Sequence, residues 1–356
     1  MILLVYPLKC KPIYKEKIWG GSWFEKEFGR ELPANKTIGE SWELACRTNE
    51  MSRVNNGEQT NKRLLKVINE APGGYLGRRV LKQGYNPFPL LIKFLDANDR
   101  LSVQVHPDNE YASKNSSGEL GKTEMWYVLD ADPDAKLIMG VKEGVTPEEF
   151  ERSIEEGNLG QNLNQVPIKA GDAFYIPAGT VHAILEGVRI AEIQQNSDTT
   201  YRVYDWNRMG LDGKPRQLHI DEAMEVIDFG KTNISPIDGI KINHDGWEQH
   251  ILTACPYFAV EVLEINSFAD KINPERFEVW MILEGEGILS TEKSQYSLEK
   301  GQTWFIPAQL GNIEVSGQLK VLKSYIPDIQ KEIVETLLNA GFEEKDLKRI
   351  GGIENI

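Results

Sequence analysis

Cysteine is scarce in this 356-residue sequence: Cys10, Cys46 and Cys255 are far apart, odd in number and free of any Cys-x-x-Cys spacing. Neither a disulfide framework nor a thiolate metal site follows from that pattern, and a reducing compartment suits it. Histidine is nearly as rare, with five residues. Positive charge is also short, with 40 Lys and Arg against 54 Asp and Glu and a formal net charge of -14. A field of that sign repels polyanions, which argues against nucleic acid and anionic membranes as partners. It leaves room for a small anion, which answers to a few local Lys and Arg side chains. No apolar run approaches the roughly 20 residues of a membrane-spanning helix. The opening Met1-Ile-Leu-Leu-Val-Tyr6 has no basic residue before it and is shorter than a signal-peptide core, so it reads as a first β-strand. The expected location is cytoplasmic.

Apolar residues make up 40% and charged residues 26%, ordinary values for a folded protein. The length exceeds what one hydrophobic core usually supports, so two cores are expected. Short β-branched or aromatic runs punctuated by Gly, Pro, Asn and Asp dominate, which predicts antiparallel sandwiches or barrels. Strands are expected at 90–95, 101–105, 125–129, 174–176, 258–265 and 277–283. Helices are fewer. One is expected over 146–156, where Thr146-Pro-Glu-Glu149 supplies an N-cap, a proline at N1 and early acids. Another begins near Asp221, and 328–349 reads as one or two amphipathic helices.

The sequence also repeats itself. Gly171-Asp-Ala-Phe-Tyr-Ile-Pro-Ala-Gly-Thr-Val-His182 aligns without a gap with Gly301-Gln-Thr-Trp-Phe-Ile-Pro-Ala-Gln-Leu-Gly-Asn312. Upstream, Glu124-Met-Trp-Tyr-Val-Leu129 aligns with Glu278-Val-Trp-Met-Ile-Leu283. Two homologous β-units are indicated, the first enlarged by an insertion carrying the helix near Thr146. Where the first copy has His106 and His182, the second offers Leu263 and Asn312. Only the first copy is therefore expected to bind metal.

In Leu101-Ser-Val-Gln-Val-His106 the apolar alternation implies a strand, so Gln104 and His106 share one face. Glu124 opens the next strong strand pattern, and His182 follows the Ile-Pro-Ala-Gly turn. Three strands can thus converge two imidazoles and a carboxylate on a barrel interior. Burying those groups without a partner is costly, which points to a metal. Gln104 is either a weak ligand or a hydrogen-bonding neighbour. His219, His244 and His250 are read as ordinary histidines without a site role. Two His and one carboxylate suit Zn²⁺ in a site open to substrate, and equally the facial triad of non-haem Fe(II) oxygenases. Spacing does not separate the two.

The repeat resembles cupins, and residues 10–325 resemble the type I mannose-6-phosphate isomerases in their short bacterial form. The resemblance rests on Lys17-Ile-Trp-Gly-Gly21, Gly39-Glu-Ser-Trp-Glu43, Gln104-Val-His-Pro-Asp108, Lys122-Thr-Glu124, Ile176-Pro-Ala-Gly-Thr-Val-His182 and Glu192-Ile-Gln-Gln-Asn-Ser-Asp198-Thr-Thr-Tyr-Arg202. It implies a mainly β protein of two cupin-type, jelly-roll β-barrels with a few inserted and terminal helices. The first would be a metal-binding domain over 1–235, the second a degenerate domain over 236–327, followed by a helical tail over 328–356. It implies one zinc per chain held by Gln104, His106, Glu124 and His182. The family's catalytic arginine falls on Arg202, its pocket acids on Glu192 and Asp198, and a pocket lysine on Lys122. Longer members follow the arginine with Ala-Gly-x-Thr-Pro-Lys, whereas Val203-Tyr-Asp-Trp-Asn-Arg208 follows here.

The implied reaction interconverts mannose 6-phosphate and fructose 6-phosphate through a cis-enediolate. It needs a Lewis acid for the oxyanion, a general base near C2 and a cation for an anionic group. Lys122, Glu192 and Asp198 are the base candidates, and Arg202 suits the enediolate or the phosphate. A metal-dependent cupin oxygenase and a non-catalytic sugar-binding cupin are the alternatives. The acids and Arg202 at ordered spacing favour catalysis, with a small sugar phosphate as the partner and the oligomeric state left open by the sequence.

Overall fold

The computed structural model describes residues 5–85, 88–116, 118–232 and 234–353. It is mainly β, as expected, with helices inserted between strands and at the C-terminal end. Most of the strand expected over Met1–Tyr6 lies outside the described residues, Val5 and Tyr6 are not in a strand, and the first strand is Leu8–Lys11. The apolar runs form strands Leu90–Ala97, Val103–Val105, Glu124–Ala131, Ala173–Ile176, Ala259–Lys271 and Glu278–Thr291. Among the described residues no helix is long and apolar enough to cross a membrane.

Two compact units are formed, one from 14–42 and 92–236, the other from 1–13, 43–91 and 237–356. They are not sequential, because Leu8–Lys11 pairs with Thr303–Ile306 and so joins the sheet built by the later residues. That sheet has nine strands, with the long strands Ala259–Lys271, Asn312–Tyr325 and Glu278–Thr291 adjacent at its centre. Its core packs Trp280, Trp304, Leu263, Phe268 and Val321.

The other unit stacks a six-stranded and a five-stranded antiparallel sheet. Trp126, Phe174, Ile176 and Leu95 from the first pack in one core with Leu137, Met139 and Ile184 from the second. Period-2 alternation places these residues inward, as in any two-layer β structure. Two motif glycines have a packing reason. Gly20 and Gly39 lie on neighbouring strands, and a Cβ on Gly20 would come within 2.4 Å of the Gly39 nitrogen. No larger residue fits there.

The repeat is reproduced register by register. Ile176 pairs with Glu124 and Phe174 with Trp126, and in the second copy Ile306 pairs with Glu278 and Trp304 with Trp280. One equivalence is corrected. His182 lies opposite Gln104, and Asn312 lies opposite Lys271, whereas Leu263 lies opposite Val321. Lys271 therefore corresponds to Gln104, and Asn273, two residues on, corresponds to His106. Leu263 and Lys271 lie on one long strand, but a β-bulge between Ile265 and Ser267 breaks its alternation, so the sequence pattern does not carry the register from one to the other.

The insertion helix is Pro147–Glu155, opened by a full capping box in which Thr146 and Glu149 exchange side-chain to backbone hydrogen bonds. A helix also forms at Ile220–Val226. The tail folds as a π-type turn Ile329–Val334, a helix Glu335–Asn339 and a 3₁₀ segment Glu344–Arg349.

Candidate metal centre and active site

His106, Glu124 and His182 converge from three different strand ends. Their nearest ligand atoms all lie within 4.8 Å of one another, and all three side chains are buried. The Ile-Pro-Ala-Gly turn places His182, with Gly179 in the left-handed region at φ +85° and its N–H donating to the His106 carbonyl. His106 Nδ1 lies 2.9 Å from the Thr199 carbonyl and His182 Nδ1 2.9 Å from the Thr180 carbonyl. A carbonyl only accepts, so each Nδ1 carries the proton and each Nε2 keeps its lone pair. Both lone pairs point at Glu124, with His106 Nε2 3.5 Å from Oε1 and His182 Nε2 3.6 Å from Oε2.

Neither Glu124 oxygen accepts a well-directed hydrogen bond within the protein. The Lys122 ammonium lies 2.7 Å from Oε1 as an ion pair and 3.0 Å from His106 Nε2. Burial drives both imidazoles toward the neutral form, His106 down to about 3. Burial also opposes the Glu124 charge, but the Lys122 ammonium outweighs it and holds the carboxyl well below its usual range. Neutral imidazoles and an ionised carboxylate are the protonation states a divalent cation needs. The donor set and the under-satisfied carboxylate fit such an ion. Gln104 Nε2 is 3.3 Å from His182 Nε2, which puts this amide at the edge of the cluster.

Glu192 is buried on the neighbouring strand, opposite Trp126. It accepts from Lys93 Nζ at 2.8 Å and from Trp126 Nε1 at 3.1 Å, and burial raises its pKa despite the Lys93 charge. Lys93 also donates to Gln194 Oε1, and its own pKa is raised by Glu192 and Glu40, which outweigh burial. Sequence reasoning missed Lys93 and Glu40. The signal for Lys93 was a charge inside an otherwise apolar strand, Leu90-Leu-Ile-Lys-Phe-Leu95. Asp198 is exposed and is not brought into the cluster, although its charge reaches Lys93.

Arg202 sits opposite Gln104 in the strand register, so both side chains share a face. Its Nε donates to Ser102 Oγ at 3.3 Å and Nη1 to the Gln217 carbonyl at 2.8 Å, with no ion pair to any carboxylate among the described residues. Its backbone N–H donates to His219 Nδ1, so this histidine sits beside the site arginine. Arg208 and Arg216 both pair with the buried Asp205 close by.

The structure is similar to that of the mannose 6-phosphate isomerase from Bacillus subtilis, with a TM-score of 0.82 at 34% identity, covering 90% of this chain and 99% of that one. A Salmonella typhimurium phosphomannose isomerase mutant matches at a TM-score of 0.72 and 18% identity, which speaks for the fold alone. In sequence the chain is 38% identical over 325 residues to the probable mannose-6-phosphate isomerase GmuF of Bacillus subtilis, covering 90% of this chain and 100% of that protein. It is 38% identical over 322 residues to the mannose-6-phosphate isomerase of Streptococcus mutans, covering 90% and 98%. Residues 5–134 match the model for the phosphomannose isomerase type I catalytic domain, and residues 248–326 the model for the mannose-6-phosphate isomerase cupin domain. With relatives this similar over their whole length, the chain belongs to the type I phosphomannose isomerase family.

Proposed function

We propose that the chain is a zinc-dependent aldose–ketose isomerase that interconverts mannose 6-phosphate and fructose 6-phosphate through a cis-enediolate. The observation that carries this is the buried His106, Glu124 and His182 trio with its lone pairs converging, in a chain whose relatives bear that activity in their names. On this reading the first repeat copy is the catalytic cupin barrel and the second a degenerate one. A divalent cation at the trio would supply positive charge where the sugar oxygens become anionic.

The protein groups divide the remaining work. Lys122, beside the trio, and Glu192, buried on the neighbouring strand, take the proton-transfer roles on this reading. Glu192 is raised toward neutrality by burial, which improves a carboxylate as a base, and Lys93 and Trp126 hold its two oxygens in place. Arg202 shares the strand face of Gln104 and spends its Nε and Nη1 on neutral acceptors, Ser102 and the Gln217 carbonyl, so its positive charge is left for a substrate anion. Asp198 borders this set through its charge on Lys93.

Metal analysis of the purified protein together with an isomerase assay tests the proposal. About one zinc per chain is expected, because one copy has the two histidines of the trio and the other has neither. Chelation should abolish isomerisation and added Zn²⁺ restore it. Iron with oxygen consumption would favour an oxygenase. Full activity after verified metal removal would refute the role of the trio.

A further inference from the structure

Two arginines pair with one buried carboxylate, and a third, Arg202, lies near enough to feel all three charges. Asp205 is buried and receives Arg216 through Nε at 2.7 Å and Nη2, and Arg208 through Nε at 3.1 Å. Arg208 Nη1 also donates to the Arg100 carbonyl and lies 3.5 Å from the exposed Asp99, while its buried Nη2 makes no directed hydrogen bond. Arg202 completes the group, and burial with the charges of Arg216 and Arg208 pushes its guanidinium pKa down. Asp205 neutralises one of these charges and Asp99 part of another. Cationic excess remains in a protein whose net charge is -14. Like charges held together in a partly dry site are costly unless a counter-anion binds there.

The direction of the cluster matters. Ser102, Gln104 and His106 alternate on one strand face, with the metal trio at the His106 end and Arg202 resting on Ser102 at the other. The step from Gln104 to Ser102 is about 6.6 Å along the strand, comparable to the span of a six-carbon sugar chain. Arg100 and Arg208 lie beyond Ser102 in the same direction.

We infer that Arg208 and Arg216, positioned by Asp205 beside Arg202, form the subsite for the phosphate group of the sugar phosphate. The inference rests on the isomerase reading and deepens it. Asp205 sets the two planar forks, so their donors are ordered before the anion arrives and little entropy is lost on binding. Arg202, one position nearer the trio, is left to the reacting end of the sugar.

Steady-state kinetics of Arg208→Gln and Arg216→Gln test it. KM for mannose 6-phosphate should rise roughly tenfold or more, since a lost hydrogen bond to a charged group weakens ground state and transition state alike. kcat should stay within about threefold. Competitive inhibition by inorganic phosphate should weaken in step, and Arg→Lys variants should recover part of the loss. Metal content should not change. A variant that fails to fold is circumvented by a measurement on the unaltered enzyme, in which phenylglyoxal modification is mapped with and without inorganic phosphate. Protection of Arg208 and Arg216 is expected. No protection at either residue, or folded variants with unchanged KM and phosphate inhibition, would overturn the subsite. If phosphate protects both arginines in an enzyme that does not isomerise mannose 6-phosphate, the subsite stands and the isomerase reading falls.

Discussion

Backbone carbonyls, rather than acidic side chains, fix the tautomers of His106 and His182, through Thr199 and Thr180. Each carbonyl belongs to a turn that the strand ends create, so the lone pairs are aimed before any ion arrives. Arg202 is the residue where the competing roles differ most in outcome. If it holds the enediolate, Arg202→Ala loses an interaction made mainly in the transition state, and kcat and kcat/KM should fall together by about 10²- to 10³-fold with metal content intact. Wild-type kcat at saturating substrate would show the assignment to be wrong. Glu40 offers a test by pH. Burial opposes its charge, but Lys17 at 2.8 Å, Lys93 and the Trp42 indole N–H lower it to about 2 from 4.5. A depressed carboxylate contributes stability that is fully present above its unfolded value and is lost as pH falls through the folded one. That window runs from about 4.5 down to about 2, and the contribution is about 3 kcal/mol. Urea unfolding of Glu40→Gln should therefore show a deficit at pH 6 that closes toward pH 2, and a deficit independent of pH would refute this.

At the scale of elements, the two repeat copies keep the same strands and register but exchange their buried chemistry. Lys93 and Glu192 form an ion pair in the first copy. In the second, Lys323 stands opposite Trp280 as Glu192 stands opposite Trp126, and it pairs with Glu261 at 2.7 Å. Acid and base have changed places. Glu278, the counterpart of Glu124, is met by Arg276 at 2.6 Å and by the Trp280 indole N–H, where the first copy leaves its carboxylate under-satisfied. Arg276 also holds Glu332 at 2.6 Å and stacks over the Tyr325 ring. A saturated ionic network stands where the first copy has the His106, Glu124 and His182 trio. Breaking it strands buried charges, so Arg276→Gln should lose about 3 to 5 kcal/mol in urea unfolding while the geometry of the first copy stays the same. A loss under about 1 kcal/mol would mean that the network is not needed for stability.

For the molecule as a whole, the tail is part of the fold. Ile333, Leu337, Leu347 and Ile350 are buried in one core with Ile240, Ile251, Ala259 and Tyr325, and Glu332 reaches both Arg79 and Arg276. Burying four such side chains is worth about 6 to 12 kcal/mol as an upper bound, the size of a typical domain stability. Deleting 328–356 should therefore leave the unit containing 237–327 susceptible to limited proteolysis at ambient temperature. A truncated protein as resistant as the full chain would contradict this.

Composition and local pattern determined the strands, the capped helix over 146–156, the repeat and the candidate trio His106, Glu124 and His182, because alternation, capping and scarce His residues are written in neighbouring positions. Tertiary structure alone decided the rest. Register along the strand Ala259–Lys271 moved the counterpart of His106 from Leu263 to Asn273, two residues past its end, because a bulge between Ile265 and Ser267 breaks an alternation that neighbouring residues do not announce. Lys93 entered the site, and Asp198 was left exposed, through pairings of residues about a hundred positions apart. Arg216 joined Arg208 only because a short hairpin after Tyr201–Tyr204 folds both onto Asp205. A buried charge takes whichever partner the fold brings within reach, and that choice is made by packing rather than by local sequence.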